Sequence, residues 1–178
     1  VILSHFHGDH INGLINKAGE LVFPNATVHV PAPEFAFWMD DAKMNAAPPA
    51  AQGAFQNARR VLGKIPTNKL VRFEAGAEVA PGIQSVAAHG HTPGMCVFTV
   101  RSQGQSFMYT ADVTNVPSLF ARSPDWAVTF DMDPEMARQT RRRIFDQLVK
   151  DKMAMGGFHF PFPALGTLEA SGSGYQFK

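Results

Sequence analysis

Cysteine is nearly absent from this chain, and so are long apolar runs and an excess of either charge. The single cysteine, Cys96, excludes an internal disulfide and leaves the redox compartment undecided. No apolar run approaches the roughly 20 residues that a membrane-spanning helix needs. With a net charge of +1 over 178 residues, the chain has no broad electrostatic attraction for nucleic acid or for an anionic membrane.

The remaining composition is that of a globular domain. Hydrophobic residues make up 45% and charged residues 17% of the chain, a balance typical of a folded protein rather than a disordered one. The length predicts a single domain over residues 1–178. The sequence starts at Val1, without Met and directly with an apolar run, which indicates a piece of a longer protein lacking its N-terminal part. The compartment therefore stays open between periplasmic or secreted and cytoplasmic.

Short apolar runs alternate with longer helical patterns, which predicts a layered α/β domain. We expect strands at 1–3, 27–30, 70–73, 83–88, 96–101, 106–110 and 154–158, and helices over 11–18, 33–44, 52–62 and 133–152. Asp133 and Pro134 predict the start of the last helix, because Asp is a good N-cap and Pro fits the first helical position. The basic run 141–143 on that helix is interpreted as a solvated face.

The most informative segment is HFHGDH at residues 5–10, which places four potential metal ligands close together. Imidazole nitrogens and carboxylates suit zinc and similar divalent ions. Residues two apart on an extended segment point the same way, so His5 and His7 can bind one ion together. Asp9 and His10 follow a glycine, where the chain can turn, and can serve a second ion. A metal site is favoured over a His-rich surface loop, because these side chains would otherwise be costly to bury.

Three further polar residues stand alone at the ends of apolar runs. His91 lies in the GHTPG segment at 90–94, Asp112 follows the apolar run 107–111, and His159 follows the last predicted strand. Taken singly, each is as consistent with a capping or core residue as with a metal ligand. Together with the first cluster they complete two sets of ligands.

The motif order resembles that of the metallo-β-lactamase superfamily: His-x-His-x-Asp-His, then His-Thr-Pro-Gly, then an Asp after a strand and a late His. Within the superfamily the chain is similar to the methyl parathion hydrolase group, in the stretches SHFHGDHINGL, HGHTPGM, YTADVTN and GFHFPFPALG. The first stretch is highly specific for the superfamily, and the last one points to the subgroup. The resemblance covers nearly the whole chain. It implies an αββα sandwich whose first sheet lacks its N-terminal part.

The resemblance also implies a binuclear metal centre, usually occupied in this family by zinc. Its seven ligands form two sets that share one carboxylate: His5, His7 and His91 for one ion, Asp9, His10 and His159 for the other, and Asp112 for both. A hydroxide bridging the two ions would attack a carbonyl or phosphoryl centre, with Asp9 and Asp112 as the catalytic carboxylates. No protein nucleophile is required.

The expected substrate is a small ester, lactone or phosphotriester. Trp38 and Phe55 resemble, in position, aromatic residues that line the substrate pocket in enzymes like methyl parathion hydrolase. They are equally consistent with core residues of amphipathic helices. No nucleic-acid or membrane partner is expected, and a homodimer is compatible with the sequence.

Other functions of the same fold remain as alternatives. A thioesterase like glyoxalase II would share the metal pattern, but no basic cluster is placed for glutathione. A diiron redox protein of this superfamily typically has Glu at the second ligand position, where this chain has His7. A non-catalytic binding protein would be expected to have lost ligands, and this chain has all seven.

Overall fold

The computed structural model describes all 178 residues as two compact units, Val1–Glu74 and Ala75–Lys178. Both units combine helices and strands, so the predicted α/β class is confirmed. None of the helices has the length and apolar character needed to cross a bilayer. The interpretation of residues 1–178 as a single hydrolase domain stays a prediction.

The first unit pairs two short parallel strands with four helices. Its helices and strands are α1 (Gly8–Ile11), β1 (Val28–Pro31), α2 (Ala32–Trp38), α3 (Asp41–Ala46), α4 (Pro49–Leu62) and β2 (Leu70–Phe73), with 3-10 turns at Asn12–Leu14 and Thr67–Lys69. β1 and β2 are parallel neighbours. The predicted strand at 1–3 lies beside β1 and is reduced to one bridge, between Ile2 and His29.

Two predicted helices of this unit were wrong in extent, and side-chain hydrogen bonds explain both. The helix expected over 33–44 is divided into α2 and α3, because Asp40 is extended and its carboxylate accepts the Lys43 N–H as an N-cap. The helix expected over 11–18 ends early. The Asn16 side chain accepts the N–H groups of Ala18 and Glu20, which favours a turn over helix continuation.

The core of this unit lies between the N-terminal segment and the helices. The apolar face of α4 is buried there, as its helical spacing predicts. The fully or almost fully buried members of this core include Leu3, Phe6, Ile11, Val30, Trp38, Phe55, Ala58 and Val61. Two of them, Leu3 and Phe6, flank the first of the histidines, so the N-terminal segment is anchored on both sides of that residue.

The second unit is built on one six-stranded sheet, in the order β3-β4-β5-β6-β7-β8. Its elements are β3 (Glu78–Ala80), β4 (Ile83–Ala87), β5 (Cys96–Ser102), β6 (Gln105–Tyr109), α5 (Pro117–Arg122), α6 (Pro134–Lys150), β7 (Ala154–Gly156), β8 (Leu165–Gly166), β9 (Leu168–Ser171) and β10 (Gly174–Phe177). Neighbouring strands are antiparallel, except that β6 and β7 are parallel. The connection between these two strands contains α6, as a parallel pair requires.

Helix α6 confirms the predicted start and corrects one prediction about its surface. The Asp133 carboxylate accepts the Met136 N–H at 3.0 Å, as an N-cap does. Ile144 and Leu148 are buried, whereas Met136 is exposed. The basic run is not uniformly solvated, because the Arg141 side chain is only 1% exposed. Arg141 donates to the backbone carbonyls of nearby loops instead of to water.

Gly90 is required by two independent features of the backbone. Its φ is +125°, and a Cβ built there would lie 2.3 Å from the backbone nitrogen of Ala137 at the start of α6. We therefore expect Gly90→Ala to lower the free energy of unfolding by about 3 kcal/mol or more, from backbone strain and overpacking together. Urea unfolding measures this loss. Gly104→Ala is the matched control, because its φ is +76° but no atom lies within 4 Å of the added Cβ. Equal losses in the two variants would contradict the role given to close packing.

Candidate metal centre

The first unit brings its four candidate ligands together at the N-terminal segment. The imidazole ring centroid of His5 lies 4.9 Å from that of His7 and 4.1 Å from that of His10. The Asp9 carboxylate lies 3.5 Å from Nε2 of His10. His5 is fully buried, whereas Asp9 is exposed. One end of this cluster is therefore inside the protein and the other is open to solvent.

Local structure explains how the four side chains are presented. His7 is extended and α1 starts at Gly8, so the chain changes from an extended to a helical conformation between the two histidine pairs. The chain turns at Gly8, as the sequence suggests, but this glycine does not adopt a positive φ. Its role is close packing, because a Cβ there would lie 3.1 Å from the Asn12 side chain.

Two residues that sequence reasoning did not assign to this region hold the segment in place. Glu34 is fully buried, and its Oε1 accepts both the Phe6 N–H at 3.0 Å and the Trp38 Nε1–H at 2.7 Å. The backbone between His5 and His7 is thereby anchored to α2. Ser4 Oγ forms a 3.0 Å hydrogen bond with Nδ1 of His5, which fixes the orientation of that ring.

The second unit brings its three candidate ligands together around one carboxylate oxygen. Asp112 Oδ2 lies 3.3 Å from Nε2 of His91 and 3.3 Å from Nε2 of His159. The side chains of His91 and Asp112 are 2% and 4% exposed, whereas that of His159 is 34% exposed. All three residues that the sequence singled out in this unit thus meet at one place.

The sheet explains this convergence. Asp112 follows β6 and His159 follows β7, and these strands are parallel neighbours, so both residues lie at the same end of the sheet. Thr110 links the ends of β6 and β7, since its backbone N–H and its hydroxyl both donate to the carbonyl of Gly156, at 2.8 and 3.1 Å. Ala111, at a φ of +45°, then turns the chain into the short 3-10 segment that carries Asp112.

His91 has a second carboxylate partner that the sequence did not predict. Its Nδ1 lies 2.9 Å from Oδ1 of Asp131, whose side chain is fully buried. Burial lowers the pKa of His91, but its contacts with Asp112 and Asp131 outweigh this effect and raise the pKa to about 9. The two carboxylates therefore favour a positive charge at this imidazole, which is the charge that a metal ion would replace.

The two predicted substrate-binding aromatics lie in the core of the first unit. Trp38 and Phe55 are each 2% exposed, and their ring centroids are 4.7 Å apart. The Trp38 ring also lies 6.2 Å from that of His7. Core packing accounts for their burial, and the lining of a substrate pocket stays a prediction for both.

Comparison with known proteins identifies the fold. A family model described as "Metallo-beta-lactamase superfamily" matches residues 1–155. The crystal structure of AbOPH, a hydrolase in the beta lactamase superfamily, is similar over 99% of this chain, with a TM-score of 0.91 and 26% identity. AidC, a dizinc quorum-quenching lactonase in complex with a product homoserine, is similar over 99% of this chain, with a TM-score of 0.90 and 29% identity.

More distant similarity supports the fold alone. A probable metal-dependent hydrolase from Staphylococcus aureus is similar over 100% of this chain and 61% of its own chain, with a TM-score of 0.78 and 22% identity.

The chain spans 62% of the length of AbOPH and of AidC. No curated protein sequence matches this chain. Since the family model covers well over half of the sequence, the protein belongs to the metallo-beta-lactamase superfamily.

Proposed function

We propose that this protein is a metal-dependent hydrolase that uses two divalent ions, normally zinc, to cleave lactone, ester or phosphotriester bonds. The observation that carries the proposal is the placement of one Asp112 oxygen at 3.3 Å from the Nε2 atoms of both His91 and His159. A carboxylate that contacts two imidazoles is suited to lie between two ions. The methyl parathion hydrolase-like subgroup is part of this proposal and rests on the GFHFPFPALG stretch.

The donor set and its spacing fit zinc. Zinc prefers imidazole nitrogen and carboxylate oxygen, at bond lengths of about 2.0–2.2 Å in tetrahedral sites. Two such ligands on one ion lie about 3.3–3.5 Å apart for those bond lengths. The 3.3 Å separations around Asp112 agree with this geometry.

We assign the ligands as the family resemblance implies. His5, His7 and His91 would hold one ion, Asp9, His10 and His159 would hold the second, and Asp112 would belong to both sets. The ring clustering of His5, His7 and His10 in the first unit supports the assignment. The clustering of His91, Asp112 and His159 in the second unit supports it independently.

Each protein group then has a definable task. Two ions held by these residues would supply a hydroxide at neutral pH and would polarise the bond that is cleaved. Asp112 is buried and contacts both His91 and His159, so its task would be to fix the relative positions of these ligands. The Asp9 side chain is 47% exposed, so it is accessible for exchanging a proton with the leaving group.

Exposed aromatic side chains in the segment that carries His159 suit a substrate with an apolar group. Phe158 is 53% exposed with its ring centroid 5.0 Å from that of His159, and Phe162 is 98% exposed. A lactone with an acyl chain or an ester with an aromatic leaving group would gain contact area there. AidC, whose product carries an acyl group, supports a lactone as the first substrate to test.

The proposed activity is tested with the purified protein loaded with zinc, cobalt or manganese. Hydrolysis of N-acyl homoserine lactones, aryl esters and paraoxon-type triesters is measured by release of acid or of the coloured leaving group. We expect metal-dependent turnover of at least one class, lost on chelation and restored by adding the metal. Hydrolysis of S-lactoylglutathione alone would instead favour a thioesterase, and no turnover of any substrate by metal-loaded protein would contradict the proposal.

A small-molecule partner and a homodimer stay predictions.

A further inference from the structure

A buried acidic side chain behind His91 has no role in the function as proposed so far. The Asp131 carboxylate contacts Nδ1 of His91 at 2.9 Å through Oδ1, and its Oδ2 accepts the Val128 N–H at 3.1 Å. The same Oδ2 lies 3.8 Å from the guanidinium of Arg141. None of the side-chain surface of Asp131 is exposed, so this carboxylate is held from several sides and excluded from solvent.

The geometry determines which His91 nitrogen is left for another partner. Because Nδ1 is directed at Asp131, Nε2 is the nitrogen directed at Asp112, at 3.3 Å. A carboxylate that accepts from Nδ1–H places the proton of a neutral imidazole there and leaves the lone pair on Nε2. It also fixes the rotation of the ring and raises the basicity of the free nitrogen.

We propose that Asp131 is a positioning residue that orients His91 for metal binding and selects its Nδ1–H tautomer. The inference rests on the proposed function, because it requires His91 to bind an ion through Nε2. Asp131 itself does not contact the ion.

The loop that carries Asp131 is anchored without its carboxylate, which separates positioning from a structural role. Backbone hydrogen bonds run from the Met132 N–H to the His91 carbonyl at 3.1 Å and from the Asp133 N–H to the Gly90 carbonyl at 2.9 Å. Arg141 is likewise held by the carbonyls of Val113 and Pro124. Removal of the Asp131 charge should therefore change the ring of His91 more than the path of the backbone.

The matched experiment compares Asp131→Asn with Asp133→Asn in the same loop. Asp133 is an N-cap, and Asn caps a helix about as well as Asp. Zinc affinity is measured by competition with a chromophoric chelator. The hydrogen bond made by the His91 Nδ1–H is read from the proton chemical shift of that group in the zinc-loaded protein. We expect D131N to bind zinc about 10- to 100-fold more weakly, the usual effect of removing the partner of a ligand, and to move the Nδ1–H resonance to a lower chemical shift, because a charge-assisted hydrogen bond is lost. D133N should match the unmodified protein in both measurements.

The outcomes separate this inference from the proposed function. If the unmodified protein binds zinc and D131N equals it in zinc affinity and in the Nδ1–H chemical shift, the positioning role is wrong and the proposed function stands. If the unmodified protein binds no zinc, both are overturned. If D131N fails to fold, Asp131→Ser removes the charge with a smaller side chain, and the same two results decide the inference.

Discussion

Replacing Asp112 with alanine is expected to remove bound zinc and to reduce hydrolysis by more than the roughly 100-fold that loss of a ligand's supporting partner costs. The reason is that Asp112 contacts both His91 and His159 at 3.3 Å through the same oxygen. Its loss leaves each ligand set incomplete. Metal content by elemental analysis and turnover of the best substrate measure the two effects.

The control for this variant is Asp125→Ala. Asp125 is an exposed carboxylate of the same unit, paired with Arg142 on the surface, so its removal should leave metal content and turnover unchanged. Circular dichroism should show both variants folded. If D112A is folded and retains full metal content and activity, the assignment of Asp112 is wrong.

Replacing Arg141 with methionine is expected to destabilise the protein by about 3–5 kcal/mol, as removing one member of a buried ionic network does. The Arg141 Nε donates to the Val113 carbonyl at 2.7 Å, and Nη1 donates to the Pro124 carbonyl at 2.9 Å. Its guanidinium also stacks over the Phe120 ring, 4.5 Å from the centroid. Burial lowers the pKa of Arg141, with the Asp131 charge opposing this effect. Methionine fills the space but leaves the carbonyls without their donors.

Arg143→Met is the matched control for this stability prediction. Arg143 lies two positions along the same helix and is exposed, so its substitution should change the free energy of unfolding by no more than about 0.5 kcal/mol. Urea unfolding distinguishes the two variants, provided that the dependence of the free energy of unfolding on urea concentration is the same in both. If R141M loses no more stability than R143M, the view that Arg141 holds the loops around Asp112 and Asp131 is contradicted.

The candidate ligands could be predicted from the sequence because each stands in a local motif. His5, His7, Asp9 and His10 are neighbours along the chain, and His91 lies in a distinctive turn. Asp112 and His159 each end an apolar run, and the parallel pairing of β6 and β7 then brings these run ends together. The fold class followed from the same alternation of strand and helix patterns.

The supporting residues could not be predicted, because their partners are distant in sequence. Asp131 meets His91 across 40 positions, and Glu34 meets Phe6 across 28. Neither pairing leaves a local signal in the sequence. The burial of Arg141 did leave a local signal, since its helical spacing places it on the same face as Ile144 and Leu148. The basic run nevertheless suggested a solvated surface. Trp38 and Phe55 show a different limit of the sequence. A helical apolar pattern does not distinguish an aromatic residue that lines a pocket from one that packs in the core.

The metal content of the purified protein tests the central claim most directly. Elemental analysis after dialysis against zinc-containing and then zinc-free buffer should give about two zinc ions per chain, as a two-metal site requires. His5→Ala in the first unit and Asp112→Ala in the second should each lower that number. A folded protein that retains no zinc, or variants that retain as much zinc as the unmodified protein, would contradict the proposal that these residues belong to a two-metal site.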